Sequence, residues 1–180
     1  MLLPMSSTEY AHPPPFDVVY ETLFPIIYRV SLRVTGDREV AEDLCHDAFI
    51  KLMERSDLLA DIEQSKYWLI RVVKNLSLNN EKRRSREKAA YTKFSRLSAT
   101  SVDSSEKQMI KEETRADVQS ALDALPYNLR APLVFREYAD LSYKEIGAIL
   151  GISESNVKVR IFRARERVGK ALAEGDAYVS

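Results

Sequence analysis

The chain has 180 residues, 45% of them hydrophobic and 30% charged, and its 27 cations balance its 27 anions. A net charge of zero argues against a nucleic-acid binder only until the distribution of charge along the chain is considered. The single cysteine, Cys45, excludes an internal disulfide and suits a reducing cytoplasm. Few runs alternate between apolar and polar residues, so the sequence predicts an all-α fold.

The N-terminal segment, residues 1–15, begins without a cationic stretch or a long apolar core. A signal peptide would have both features and a membrane span would have the long apolar core, so we expect neither of them here and no membrane insertion. Three consecutive prolines end the segment and predict an extended leader.

Two amphipathic helices are predicted next. The first starts near Phe16 and stops at Gly36, and Pro25 must start, kink or interrupt it. Asp37 is expected to cap the second helix, whose outer side is acidic. We expect the inward stripe of this second helix to consist of Val40, Ala41, Leu44, Ala48, Leu52 and Met53.

A third helix is predicted to begin near Ser65, after a polar connection over residues 56–64. Between Arg71 and Lys88 it carries seven cations against two anions. Tyr67 and Trp68 form an aromatic pair near its start, and such a pair more often fills a core than stacks on bases. Here, however, cations and amides follow the pair, as in grooves that bind single-stranded nucleic acid. We expect Trp68 to be partly core and Tyr67 partly exposed. The outer face comprises Tyr67, Trp68, Arg71, Lys74, Asn75 and Asn79.

A serine-rich stretch separates this basic helix from a second helical unit. Six serines and two threonines lie between Ser85 and Ser105, which predicts a flexible linker. We therefore divide the chain into a first domain (16–92), a linker (93–110) and a second, four-helix domain (111–175).

The second domain ends in a predicted helix-turn-helix between Leu141 and Arg167. Ser142 can cap its first helix, Gly151 allows the turn, and Ser153 can cap its second helix. That last helix has six cations against two anions and an apolar stripe of Val157, Ile161, Ala164 and Val168. Its charge therefore faces outward, where DNA phosphates could meet it, although a solvated basic surface remains the alternative.

Catalysis is not indicated by any motif of the sequence. Asp43, His46 and Asp47 have helical spacing beside Cys45, but a solvated acidic face explains them better than a metal site does. A glycine-rich phosphate loop and a nucleophile motif are both missing. We expect no metal, no cofactor and no enzymatic activity.

The order of these parts resembles the bacterial sigma factors of the extracytoplasmic-function group, over about Phe16 to Leu172. One matching stretch is TGDREVAEDLCHDAFIKLM with YWLIRVVKNLSLN, and the other is ALDALPYNLRAPLVFREYADLSYKEIGAILGISESNVKVRIFRARERV. The chain departs from many relatives at Met53, Asn79 and Pro132, where they have tryptophan, aspartate and a residue other than proline. Pro132 bears on the course of the helix before the helix-turn-helix.

This resemblance implies a cytoplasmic, non-enzymatic subunit that joins core RNA polymerase, directs it to promoter DNA and helps to open it. An anti-sigma factor would be a further partner. The implied polymerase-binding residues are Asp43, Leu44, Asp47, Phe49 and Lys51. The implied melting surface is Tyr67, Trp68, Arg71, Lys74, Asn75, Asn79, Lys82 and Arg83, with a base-capturing loop at 56–64. The implied contacts to the upstream minus-thirty-five element are Ser155, Asn156, Lys158, Val159, Phe162 and Arg163, with Arg160, Arg165 and Arg167 as phosphate contacts or surface.

Two other functions remain open on the sequence. A stand-alone helix-turn-helix regulator would bind duplex DNA without polymerase, and a sequestering helical protein would use its basic helices only as surface. The face from Trp68 to Asn79 favours the sigma factor, because a regulator of duplex DNA has no evident use for it.

Overall fold

The computed structural model describes residues 13–55, 60–94 and 111–176, and within these ranges the chain is entirely helical between its turns. This confirms the predicted all-α fold. The helices in chain order are α1 (Phe16–Thr35), α2 (Arg38–Met53), α3 (Ile62–Phe94), α4 (Lys111–Asp123), α5 (Tyr127–Ala139), α6 (Tyr143–Leu150) and α7 (Glu154–Asp176).

The turn between α1 and α2 forms as its residues predict. Gly36 adopts the left-handed conformation at φ 71°, and the Asp37 carboxylate accepts a hydrogen bond from the Val40 N–H at 3.1 Å. Pro25 lies inside α1, which continues through it. Its ring is on the exposed side of the helix, where water can satisfy the carbonyl that proline leaves without a donor.

The buried stripe of α2 differs from the predicted one. Cys45 and Phe49 are buried, whereas Met53, which we expected inside, is 63% exposed. The Phe49 ring packs against Tyr20 and Phe24 of α1, with ring centroids 4.9 and 6.0 Å apart. With Phe49 held in these aromatic contacts, Met53 lies on the outer side of α2.

The third helix is longer than predicted. It begins at Ile62, where Asp61 accepts from the Gln64 N–H at 2.8 Å, and it runs on to Phe94. The expectation of a flexible linker from Ser85 is therefore wrong for residues 85–94. Good helix formers and the Arg83–Glu87 ion pair, 3.7 Å long, outweigh the scattered serines there. The rest of the predicted linker, 95–110, and loop residues 56–59 lie outside the described residues.

The second unit is formed by α4 to α7, as predicted. Pro132 is buried within α5, which continues through it to Ala139. The two units also contact each other: α4 and α5 pack against α1, and α5 and α6 pack against α3. Buried residues of both units belong to one continuous hydrophobic core.

Candidate nucleic-acid interface

The helix-turn-helix consists of α6, a tight turn and α7. The Ser142 hydroxyl accepts from the Glu145 N–H at 3.2 Å, and the Glu145 carboxylate accepts from the Ser142 N–H at 2.7 Å. The Ser142 hydroxyl also donates to the Glu145 carboxylate at 2.6 Å. This hydrogen bond first, and that from the Ser142 N–H second, hold the pKa of Glu145 below its ordinary value. Gly151 takes the left-handed turn at φ 69°, and Ser153 accepts from the Asn156 N–H at 3.2 Å. All three predicted turn and cap residues are confirmed.

The outward face of α7 is defined by the stripe that is buried opposite to it. Val157, Ile161 and Ala164 are at most 1% exposed and pack inward. At about 100° per residue, the opposite side carries Ser155, Val159, Phe162 and Arg163, with Glu166 one turn further along. Val159 is 46% and Phe162 69% exposed, which is unusual for large apolar side chains. Asn156 is also exposed. This part of α7 offers polar, apolar and cationic groups to a partner.

The remaining predicted cations of α7 lie at the flanks of this face. Lys158 pairs with Glu154 at 2.8 Å, which raises the Lys158 pKa. The half-buried Arg160 donates to the Asn156 side chain at 2.9 Å. Arg165 pairs with Glu137 of α5 at 2.5 Å, so its guanidinium is directed along the body of the protein. Arg163 lies closer to the centre of the face than any of these three.

The predicted melting residues follow one side of α3. Tyr67 and Trp68 are both half-buried, as expected, and the Arg55 guanidinium lies over the Trp68 ring at 4.9 Å. Lys74 is also half-buried, and its ammonium donates to the Asn75 side chain at 3.2 Å. The exposed members of the set are Arg71, Asn75, Asn79, Lys82 and Arg83. Aromatic rings thus begin this surface, cations and amides follow, and Lys82 and Arg83 end it.

The acidic face of α2 is only partly as predicted. Asp43, Asp47 and Lys51 are exposed on this face. Leu44 and Phe49 are only 8% and 2% exposed, so they pack in the core beneath the face and are not available on its surface. Sequence reasoning missed Ile50, which is 48% exposed one turn beyond Asp47. The i, i+4, i+7 spacing of Asp43, Asp47 and Ile50 was the signal that could have found it.

The residues considered for a metal site do not converge. Cys45 is fully buried, and burial raises its pKa to about 12, while His46 lies outside against the Phe24 ring. Within residues 13–55, 60–94 and 111–176, no three His, Cys, Asp or Glu side chains are placed to hold a metal ion together. None of the helices described is both long and apolar enough to cross a membrane.

Each of the two helical units matches a family model of known sigma factors. Residues 19–87 match the family model of sigma-70 region 2, and residues 115–168 match that of sigma-70 region 4. The extracytoplasmic-function sigma factor SigE of Mycolicibacterium smegmatis is 35% identical over 152 residues, which cover 82% of this chain but only 58% of that protein. The sigma-H factor of Pseudomonas aeruginosa is 30% identical, covering 78% of this chain and 77% of that one. SigM of Bacillus subtilis is 30% identical, covering 87% and 93%.

Two solved structures share the fold. The sigma factor RpoE of Bartonella quintana, solved in complex with the anti-sigma factor NepR, matches with a TM-score of 0.64 at 20% identity, over 88% of this chain and 96% of that one. CnrH, solved with the cytosolic domain of CnrY, matches with a TM-score of 0.60 at 19% identity, over 88% of each chain. With regions 2 and 4 in this order and relatives of this similarity, the chain belongs to the sigma-70 family of RNA polymerase sigma factors, in its extracytoplasmic-function group.

Proposed function

We propose that this chain is an alternative sigma factor that binds core RNA polymerase, recognises the minus-thirty-five and minus-ten promoter elements and promotes DNA melting. The observation that carries the proposal is the presence, in one chain, of sigma-70 regions 2 and 4, each with a charged helix that exposes its polar face. The protein would act by binding and would catalyse no reaction of its own. We place its action in the cytoplasm, where RNA polymerase works.

Helix α7 is the proposed reader of the upstream element. A recognition helix enters the major groove with its N-terminal part toward the base edges. Ser155, Asn156, Val159, Phe162 and Arg163 occupy that part of α7 and are exposed. Lys158, Arg160 and Arg165 at the flanks suit contacts to phosphates, which position the helix without reading sequence.

Helix α3 is the proposed melting surface. Half-buried Tyr67 and Trp68 can stack on unpaired bases, while Asn75 and Asn79 can bind base edges. Lys82 and Arg83 continue the helix with positive charge for the strand backbone. A surface of this kind prefers single-stranded over duplex DNA.

The outer face of α2 is the proposed dock for core polymerase. Asp43 and Asp47 offer exposed carboxylates, and Ile50 adds apolar area beside them. Such a face suits a basic surface of the polymerase, with charge setting the orientation of docking. Because RpoE was solved in complex with an anti-sigma factor, we also propose an anti-sigma factor as a partner of this chain.

Reconstitution with core polymerase tests the proposal. The purified protein should co-elute with core polymerase in gel filtration and should allow initiation in vitro from a small set of promoters in genomic DNA. A stand-alone regulator would instead bind duplex operators without polymerase and would not co-elute. That second result would refute the sigma-factor function.

A further inference from the structure

A tyrosine at the start of α6 lies beside a cation of the proposed reading helix, α7. Tyr143 is the first residue of α6, and the capping hydrogen bonds of Ser142 fix its backbone. The Lys158 ammonium of α7 is 5.6 Å from the centre of the Tyr143 ring, which is within the range of cation–π attraction. Lys158 is therefore held from α6 as well as by Glu154 of its own helix.

Two arginines fix Tyr143 in this position. The Arg136 guanidinium lies 5.2 Å from the ring centre, and it donates to the Leu141 carbonyl at 2.8 Å. At the hydroxyl end of the side chain, Arg165 shares a hydrogen bond with Tyr143, which adds to the stronger effect of Glu137 in raising the Arg165 pKa. Tyr143 is also half-buried and packs against the hydrophobic core. Its ring is thus a platform with little freedom to move.

The ring and the carboxylate act on Lys158 differently. The Glu154 carboxylate lies 2.8 Å from the ammonium, but the two side chains are 55% and 49% exposed. Exposed pairs of this kind contribute little and are screened by salt. A carboxylate also offsets the charge that a phosphate would meet, whereas a ring attracts the ammonium through its quadrupole and carries no net charge. Tyr143 can therefore restrict the Lys158 side chain while leaving its charge to a DNA phosphate.

The other flank of α7 has no such support. Arg160 follows two residues after Lys158, about 200° around the helix, and it donates to the Asn156 side chain at 2.9 Å. No aromatic ring of residues 13–55, 60–94 or 111–176 lies over the Arg160 guanidinium. One flank of the helix thus carries a cation that another helix positions, and the other flank carries a cation that is held only by its own helix.

We propose that Tyr143 is a positioning residue for DNA binding, which holds Lys158 in the direction of the phosphates beside the upstream promoter element. The inference rests on the proposed function for the ligand, but not for the positioning itself. A lysine side chain is among the most costly to immobilise, because it has many rotamers. Restricting it before DNA arrives lowers that cost at the moment of binding. Tyr143 therefore raises the affinity for DNA without itself reading a base.

Nuclear magnetic resonance of the free protein measures the positioning without DNA. The methylene protons beside the Lys158 ammonium should show a ring-current shift in wild type and in Tyr143→Phe, which keeps the ring. Tyr143→Leu should bring their signal to the position of an ordinary exposed lysine. The signal is assigned by its absence from Lys158→Arg. An unchanged signal in Tyr143→Leu would mean that the ring does not hold Lys158 and would overturn the inference.

Binding of the holoenzyme to a labelled promoter duplex is the second measurement. Tyr143→Leu should weaken it about two- to fivefold, while Tyr143→Phe should stay within about twofold of wild type. Lys158→Ala should then cost less affinity in Tyr143→Leu than in wild type, whereas Arg160→Ala should cost the same in both. Tyr138→Leu is the matched control and should leave the affinity unchanged. Tyr138 is also half-buried, but its ring holds Arg33 of α1, at 5.4 Å, rather than a cation of α7.

Three outcomes would decide between positioning and its alternatives. Circular dichroism and thermal unfolding confirm that each variant folds, and Tyr143→Met replaces Tyr143→Leu if the latter does not. Additive losses for Tyr143→Leu and Lys158→Ala would overturn the positioning role. Binding by Tyr143→Phe as weak as that by Tyr143→Leu would also overturn it, because the hydroxyl and not the ring would then matter. A ring-current shift in a protein whose holoenzyme binds no promoter would instead refute the proposed function and leave the positioning of Lys158 supported.

Discussion

Replacing Arg163 by alanine is expected to weaken binding to the upstream promoter element more than any other single loss of a cation from α7. Arg163 is exposed opposite the buried stripe and has no ion-pair partner among the described residues. Its loss therefore removes no ion pair that the described part of the chain shows, and stability should change by less than about 0.5 kcal/mol. If the guanidinium contacts a base, the loss costs about 1 to 3 kcal/mol, or about 5- to 150-fold in affinity.

Arg165→Ala is the matched control for this prediction. Arg165 is on the same helix and has the same side chain, but it pairs with Glu137 at 2.5 Å, with the two side chains 53% and 46% exposed. A surface pair of this kind contributes at most about 1 kcal/mol to stability. We expect less than about fivefold loss of DNA affinity, with a lower salt dependence if the group also contacts a phosphate.

Fluorescence anisotropy would measure both effects, with holoenzyme and a labelled promoter duplex that the wild-type holoenzyme selects, over a series of salt concentrations. Thermal unfolding of each variant gives the stability control. An affinity of Arg163→Ala equal to that of wild type would remove Arg163 from the site. A larger loss for Arg165→Ala than for Arg163→Ala would mean that α7 presents its flank to DNA, and the assignment of its outward face would be wrong.

Three further outcomes are expected. The double substitution Asp43→Lys and Asp47→Lys should abolish core-polymerase binding in gel filtration. The melting temperature should stay near that of wild type, because both carboxylates are exposed. Retained binding would refute the assignment of the α2 face as the polymerase-binding site. The double substitution Asn75→Ala and Asn79→Ala should leave closed promoter complexes intact but reduce the permanganate reactivity of thymines near the start site. If the double variant opens promoters as fast as wild type, the two asparagines do not bind the single strand. Because the pKa of Glu145 is lowered from 4.5 in the folded state, its capping bond stabilises the fold fully above pH 4.5, and this contribution is lost as the pH falls through the lowered pKa. The stability advantage of wild type over Glu145→Gln, measured by unfolding in urea, should therefore shrink on acidification. A difference that stays constant with pH would contradict the role of the carboxylate in the cap.

Local sequence determined the caps and the turn of the helix-turn-helix. Ser142, Gly151 and Ser153 form the predicted caps and turn because each acts on backbone groups within a few residues of itself. The outward face of α7 follows from the helical period once Val157, Ile161 and Ala164 are assigned to the core. These features depend on no distant contact, so the order of residues is sufficient to predict them.

Only the tertiary structure decided which side of α2 is buried and how the two units meet. Phe49 replaces Met53 in the core because rings of α1, more than twenty residues away in sequence, offer it a better packing site. Arg130 is indistinguishable from a surface arginine until Glu81 and Asp123 are brought to it from α3 and α4. Tyr127 likewise acquires its partners from a helix about fifty residues earlier. Contacts between residues so far apart in the chain leave no periodic pattern in one sequence, because the pairing arises only when the helices pack.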